Sequence, residues 1–238
     1  MTMLEPLIQS LLTQGFPEFT LLMILLVPVV TTLITFFRYV VGWRSLGIYT
    51  TVLLTFALFQ LAQTPNGTDV ASGVIQSLFF MGAIFGIGFP LHILSKDVRL
   101  HYISRISIIV TLTTLGVLAA GVLLIQTGFA LFNPNAPLSL VIMIMTLDIF
   151  IKNYIRKSTP KTIRYMVNTL GIACIIFLII SMRSVQMFVM TYPEISILTL
   201  IVNFILGRWT GLRLTEFIRF KEIHISEPHD TQHHQTQE

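Results

Sequence analysis

The chain carries too little charge for an ordinary water-soluble protein. Of its 238 residues, 54% are hydrophobic and 11% are charged, whereas soluble domains average about 25% charged residues. This composition excludes a soluble globular domain, because too few polar groups remain to cover a surface that faces water. The net charge of +4 does not indicate a nucleic-acid partner, because the basic residues gather on one side of the predicted membrane spans.

Runs of about 20 apolar residues predict an all-α bundle of seven transmembrane helices. In chain order the predicted spans are residues 16–37, 45–63, 70–94, 105–126, 136–151, 165–182 and 193–206. The apolar residues are continuous and do not alternate with polar ones, which favours helices over the strands of a barrel. The spans predict a short extracytoplasmic segment (1–15), a transmembrane domain (16–222) and a disordered, polar cytoplasmic tail (223–238).

The distribution of basic residues predicts the orientation of the chain in the membrane. Fourteen of the 15 Lys and Arg residues follow the first, third, fifth or seventh predicted span, and only Arg183 lies on the opposite side. By the positive-inside rule, the N-terminus lies outside and the C-terminus lies in the cytoplasm. The chain is therefore expected to cross the membrane an odd number of times.

Asp148 is the one acidic residue in the interior of a predicted span, within about one helical turn of its cytoplasmic end. An ion pair with Lys152, four residues later, is one interpretation. An interior ion pair with an arginine of another helix, Arg44 or Arg213, is the other. A proton-relay role is less favoured, because no second acid or histidine lies at the same depth.

Small and amide side chains predict where the helices touch. Small residues allow helix backbones to approach closely, and those of the third and fourth spans are Gly82, Gly86, Gly88, Gly116, Ala120 and Gly121. Asn168 and Asn203 predict hydrogen bonds between helices, because an amide in hydrocarbon needs a partner.

Two stretches at predicted cytoplasmic helix ends carry distinctive residues. "FFRYVVGWRSLGIYTTVLL" follows the first span, and "GRWTGLRLTEFIRF" follows the last. If the last helix continues, Trp209, Arg213, Glu216 and Phe220 lie along one of its faces. An interfacial anchor explains most of these residues. It does not explain the glycines of the second stretch, because they reduce helix propensity.

The two stretches resemble those of bacterial inner-membrane proteins whose seven-helix domain is usually fused to an inactive transglutaminase-like domain. The matching residues of the first stretch are Phe37, Arg38, Gly42, Arg44, Leu46 and Gly47. Those of the second are Gly207, Arg208, Thr210, Gly211, Arg213, Leu214, Glu216, Arg219 and Phe220. "TYPE" at 191–194 is also similar to the family, whereas Thr51 stands where the family often has proline. The resemblance covers about residues 20–221.

The resemblance implies a multi-pass protein of a bacterial inner membrane and a set of partners. Members of the family are associated with an ATP-grasp glutamate-ligase-like protein and a retropepsin-like protease. Only about fifteen residues precede the first predicted span, so the extracytoplasmic transglutaminase-like domain would come from a separate subunit. The lipid bilayer is the remaining partner.

We expect a non-enzymatic membrane component, without a cofactor or metal, that docks or organises partners on its basic cytoplasmic face. Arginine clusters bind acidic partners, although anionic lipid headgroups explain the same charges. The alternative is a transporter or channel for a small peptide or glutamyl product, which requires a polar cavity within the membrane. An enzyme is not expected, since "GxSG" and "HExxH" motifs do not occur. The candidate functional residues are Arg38, Arg44, Asp148, Arg208, Arg213, Glu216 and Arg219.

Overall fold

Helices make up most of the part of the chain that the computed structural model describes, residues 10, 13–64, 67–94, 102–126, 136–156 and 159–208. They are α1 (Glu18–Phe36), which continues as a π-helical turn (Phe37–Val41), α2 (Ile48–Leu61), α3 (Val70–Leu94), α4 (Tyr102–Gln126), α5 (Ala136–Arg156), α6 (Thr159–Ser181), α7 (Arg183–Thr191) and α8 (Ile195–Gly207). A two-residue antiparallel ladder joins β1 (Gln63–Thr64) to β2 (Gly67–Thr68). The all-α prediction is confirmed apart from this hairpin. The predicted tail 223–238 lies outside the described residues.

Five of the described helices are long and apolar enough to cross a membrane, and they belong to α1, α3, α4, α5 and α6. A sixth candidate is the pair α7 and α8, whose axes differ by 101°. Each of the seven predicted spans contains a helix, but α2 has only 14 residues. Its length of about 21 Å falls short of a hydrocarbon core of about 30 Å. The described residues therefore form a multi-pass helical membrane protein with five or six spans of sufficient length.

The short helix α2 lies at the centre of the bundle. It contacts α1, α3, α5 and α6, and Leu54, Ala57, Phe59 and Leu61 are fully buried. A helix that packs against several others is expected to be largely apolar, and one side of α2 remains open, since Tyr49 and Leu53 are exposed.

The start of α3 shows how local sequence fixes a helix end. Asp69 accepts hydrogen bonds through its Oδ1 from the backbone N–H groups of Ala71 (3.1 Å) and Ser72 (3.4 Å). An aspartate at this position satisfies N–H groups that have no partner within the helix. The hairpin β1–β2 leads directly into this cap, so α2 and α3 are joined by a compact turn.

The first and last helices are linked by hydrogen bonds. The Nδ2 of Asn203 in α8 donates to the Oγ1 of Thr32 in α1 at 2.8 Å. Thr32 donates in turn to the carbonyl oxygen of Pro28 at 2.8 Å. The Oγ of Ser196 donates to the carbonyl oxygen of Leu25 at 3.4 Å. The prediction that Asn203 joins two helices is confirmed.

Some of the small residues pack as predicted, and others do not. A Cβ on Gly88 would collide with the side chain of Leu147 and lie 3.0 Å from the Oγ1 of Thr113, and one on Gly116 would lie 2.9 Å from Ile87. Gly82 and Gly86, in contrast, have nothing within 4 Å of that position in the described chain. The packing prediction is therefore confirmed for Gly88 and Gly116 and wrong for Gly82 and Gly86.

Gly73 and Gly82 give a matched test of this packing. A Cβ on Gly73 would lie 2.7 Å from the Cα of Ala62, and backbone of this kind moves less readily than a side chain. We expect Gly73→Ala to reduce the free energy of unfolding by about 1–3 kcal/mol, as overpacking does. Gly82→Ala is expected to leave it unchanged or raise it by up to about 1 kcal/mol, because alanine favours helix. Unfolding of both variants in detergent measures the difference, and equal stabilities would contradict the packing.

Candidate functional site

The first of the two distinctive stretches begins with an unusual helix end. The π-helical turn Phe37–Val41 ends at Gly42, which has φ of 86°. The N–H groups of Gly42 and Trp43 both donate to the carbonyl oxygen of Phe37, at 3.0 and 3.2 Å. This left-handed conformation favours glycine, because a Cβ would crowd the following carbonyl group. Single π-helical turns are frequent at functional sites.

Residues 42–47, which we call the arginine loop, fold back onto α6. The Nδ2 of Asn168 donates to the carbonyl oxygen of Arg44 at 3.2 Å. The backbone N–H of Leu46 donates to the Oγ1 of Thr169 at 2.9 Å. The ring of Trp43 lies 3.6 Å from where a Cβ on Gly171 would be. The backbone of the arginine loop is therefore held to one helix by two hydrogen bonds and one aromatic contact.

These contacts correct two predictions. Asn168 was expected to join two helices, but it binds the backbone of a loop. The second span was expected to begin at residue 45, but α2 begins at Ile48 because the arginine loop occupies the intervening space. No single-sequence signal paired Asn168 or Thr169 with a segment more than 120 residues away.

The arginine loop contacts α6 well after the residue at which the spanning part of that helix begins. The spanning part of α6 starts at Lys161, and Asn168 is seven residues further on, or about 10 Å along the helix. The side chain of Arg44 is exposed at this level. An arginine near the membrane boundary either extends toward the headgroups or binds an anionic partner.

Two further arginines of the predicted cluster lie on neighbouring elements. The π-helical turn, which carries the half-buried Arg38, contacts α8. Arg208 follows α8 directly, is exposed, and places its guanidinium 5.8 Å from the centre of the Phe204 ring. The structure thus brings the end of α1 and the end of α8 together. Arg213, Glu216 and Arg219 lie outside the described residues, so their place in the cluster stays a prediction.

Asp148 forms the nearer of the two predicted ion pairs. Its Oδ2 lies 2.5 Å from the Nζ of Lys152, one turn along α5, and both side chains are partly exposed. Among the described residues Asp148 does not pair with Arg44, and a pair with Arg213, which lies outside the described residues, stays a prediction. Its Oδ1 is buried without a hydrogen-bond partner in the described part of the chain. A pair at this spacing stabilises a helix by about 0.2–0.5 kcal/mol, and a functional role for Asp148 stays a prediction.

An aromatic cluster that the sequence did not predict joins the ends of α3 and α5. Tyr154 lies with its ring centre 5.3 Å from Phe89 and 6.2 Å from His92, and Phe89 also contacts Phe150 at 5.9 Å. The Nη2 of Arg105 in α4 donates to the carbonyl oxygen of His92 at 3.2 Å. The spacing of four between Phe150 and Tyr154 is a signal that could have indicated one shared face. The cluster ties three helices together near the end of the bundle.

The described residues hold no group of three or more His, Cys, Asp or Glu side chains arranged to bind a metal ion. The site that they do form consists of the exposed Arg44 and Arg208 and the half-buried Arg38, and the backbone of Arg44 is held to α6. Helices of spanning length and this site define a multi-pass helical membrane protein with a basic surface at one end.

Comparison with known proteins identifies the family. A family model described as seven transmembrane helices usually fused to an inactive transglutaminase matches residues 7–224, and the chain belongs to this family. The resemblance seen in the sequence is thereby confirmed. No curated protein and no solved structure shows a significant similarity to the chain.

Gly42 and Gly47 give a matched test of the arginine loop. Gly42→Ala is expected to lower stability by about 1–2 kcal/mol, because alanine is strained in the left-handed region. It should also expose Trp43, whose emission then shifts to longer wavelength in a Trp209→Phe background. Gly47→Ala serves as the control, since Gly47 has an extended φ of 179° and a Cβ there would meet only the Oγ1 of Thr50 at 3.4 Å. Equal effects of the two changes would show that the turn at Gly42 does not fix the loop.

Proposed function

We propose that the protein is a non-enzymatic component of a bacterial inner membrane that docks an acidic cytoplasmic partner on its arginine loop. The observation that carries this proposal is that the backbone and the side chain of Arg44 differ in how they are held. The backbone of Arg44 is held to α6 by Asn168 at 3.2 Å, whereas its side chain is exposed. A fixed backbone beneath an exposed guanidinium reduces the entropy lost on binding.

The chemistry of the arginine loop favours carboxylate or phosphate groups. A guanidinium presents its donors in a planar fork that binds such groups through two parallel hydrogen bonds. Arg38 and Arg208 add positive charge from the adjoining ends of α1 and α8. We infer that the partner is an ATP-grasp glutamate-ligase-like protein or a retropepsin-like protease, and that a transglutaminase-like subunit binds on the other side of the membrane. Anionic lipid headgroups remain the competing ligand.

The proposal requires seven crossings, with the C-terminus in the cytoplasm. Alkaline phosphatase fused after Lys221 should be inactive, and a fluorescent protein at the same position should be bright, because the former folds only outside the cytoplasm. Fusions after Thr68, in the hairpin that follows α2, should give the opposite result. An active phosphatase after Lys221 would place the basic surface outside and exclude a cytoplasmic partner.

Docking is tested by purification of the tagged protein in mild detergent, followed by mass spectrometry of the proteins that accompany it. We expect a soluble ligase-like or protease-like protein, reduced at least about fivefold by Arg44→Ala, as the loss of about 1 kcal/mol from an interface contact implies. Arg164→Ala is the matched control, since Arg164 is also exposed on α6 but makes no hydrogen bond to the arginine loop among the described residues.

Three results separate the possible ligands of the arginine loop. Loss of the partner with Arg44→Ala but not with Arg164→Ala supports docking. Equal losses with both variants indicate a general charge effect or lipid binding. Recovery of the same proteins from all variants, or of no soluble protein, contradicts docking. The variants Arg213→Ala and Glu216→Ala extend the comparison to the second distinctive stretch.

Transport of a small peptide or glutamyl product is the second candidate function. One observation favours it: α7 and α8 meet at an angle of 101°, and interrupted helices often line the substrate sites of transporters. Uptake of a labelled dipeptide into liposomes that contain the purified protein would support transport. Uptake equal to that of empty liposomes would favour docking.

A further inference from the structure

A polar pocket opens at the end of the bundle opposite to the arginine loop. It has a volume of about 490 Å³ and lies between the start of α1, the hairpin β1–β2, the end of α6 and the helix α7. Glu18 at the start of α1 and Arg183 at the start of α7 both line it. Since α1 has 19 residues, this pocket lies about 28 Å from the end of the helix that precedes the arginine loop.

The two charged residues of the pocket have no ion-pair partner in the part of the chain that the structure describes. Neither Glu18 nor Arg183 forms an ion pair with any described residue, although both line the same pocket and both are exposed. Arg183 is also the only basic residue outside the predicted cytoplasmic side. A separated carboxylate and guanidinium are complementary to a ligand that carries an ammonium group at one end and a carboxylate at the other.

Part of the pocket lining is polar, and one polar side chain, that of Gln186, is held by hydrogen bonds. The Nε2 of Gln186 donates to the Oγ1 of Thr68 at 3.3 Å and to the carbonyl oxygen of Ile180 at 3.0 Å. Ser181, which also lines the pocket, is only 6% exposed, and its Oγ has no hydrogen-bond partner among the described residues. A buried hydroxyl without a partner is unfavourable by about 1–3 kcal/mol.

The remaining wall of the pocket is apolar. It consists of Phe19, Leu22, Met187 and Met190, and the ring of Phe19 is stacked on Phe59 with their centres 6.3 Å apart. Methionine side chains adapt to ligands of different shape. This wall therefore fits an apolar side chain without selecting a single one.

We propose that this pocket binds a short zwitterionic peptide with an apolar side chain. The carboxylate of the peptide pairs with Arg183, its ammonium group pairs with Glu18, and its amide group faces the polar side chain of Gln186. The volume lies within the range of about 300–1,000 Å³ that is typical of small-ligand sites. The proposal does not rest on docking at the arginine loop, because the two sites lie at opposite ends of α1 and share no residue.

The experiment uses the full chain in nanodiscs of phosphatidylcholine, with L-alanyl-L-leucine as the probe and calorimetry as the readout. We expect saturable binding with one site per chain. The N-acetylated dipeptide lacks the ammonium group, and the dipeptide amide lacks the carboxylate. Each should bind at least about tenfold more weakly, because each leaves one charge of the pocket without its partner. This comparison needs no altered protein and therefore does not depend on the folding of a variant.

Charge variants then assign each end of the peptide to a residue. Glu18→Gln should remove the preference for the free dipeptide over its acetylated form and keep the preference over the amide. Arg183→Gln should do the reverse. Arg164→Gln, the same change at the start of α6 and so at the end of that helix away from the pocket, is the control and should leave all three affinities unchanged.

Several results would overturn the proposal. These are the absence of saturable binding, equal affinities for the three peptides, and charge variants that weaken all three peptides equally. The headgroup of phosphatidylethanolamine also carries an ammonium group beside an anion. If its addition to the nanodiscs abolishes binding, the pocket belongs to a lipid and the proposal for a peptide fails.

Discussion

Every backbone polar group of a chain within a membrane needs a partner inside the protein, and the arginine loop is where this constraint shapes the bundle. Water is absent from the hydrocarbon core, so non-helical backbone is tolerated there only against protein. Thr169 receives the N–H of Leu46, and Asn168 binds the carbonyl oxygen of Arg44. Phe37 accepts from the two residues that follow the π-helical turn. Because the polar backbone groups of the arginine loop have these partners, non-helical chain can lie beside α6. The helix α2 that follows can therefore be shorter than a full span.

The same constraint explains why the distinctive residues gather where α1 and α8 end. Asn203 and Thr32 fix the spacing of these two helices through a hydrogen bond of 2.8 Å, and the π-helical turn that continues α1 contacts α8. Arginines on both segments are therefore carried by one rigid pair of helices. A shift of α8 along α1 would break the amide contact within the apolar region, where replacement by water is not available. The hydrogen bond between α1 and α8 therefore fixes the relative positions of Arg38 and Arg208.

Local sequence patterns predicted the helices, but they could not predict contacts between segments that are far apart in the chain. Each continuous apolar run contains a helix, and the spacing of four between Asp148 and Lys152 indicated the ion pair that the structure contains. The short length of α2 and the helix α7 were missed, because burial against protein and lipid gives the same apolar sequence. The partners of Asn168 and the polar pocket depend on tertiary structure, since their residues come from segments far apart in the chain.

Arg183, the one exception to the predicted charge distribution, lies in the polar pocket. A basic residue on the outer side opposes the positive-inside rule only weakly when it stands alone, so Arg183 does not reverse the orientation that fourteen other residues support. It lies instead at the start of α7, in a pocket that also contains Glu18 and the buried hydroxyl of Ser181. Because Arg183 is exposed and forms no ion pair with any described residue, its guanidinium is accessible to the ligand that we propose for the pocket.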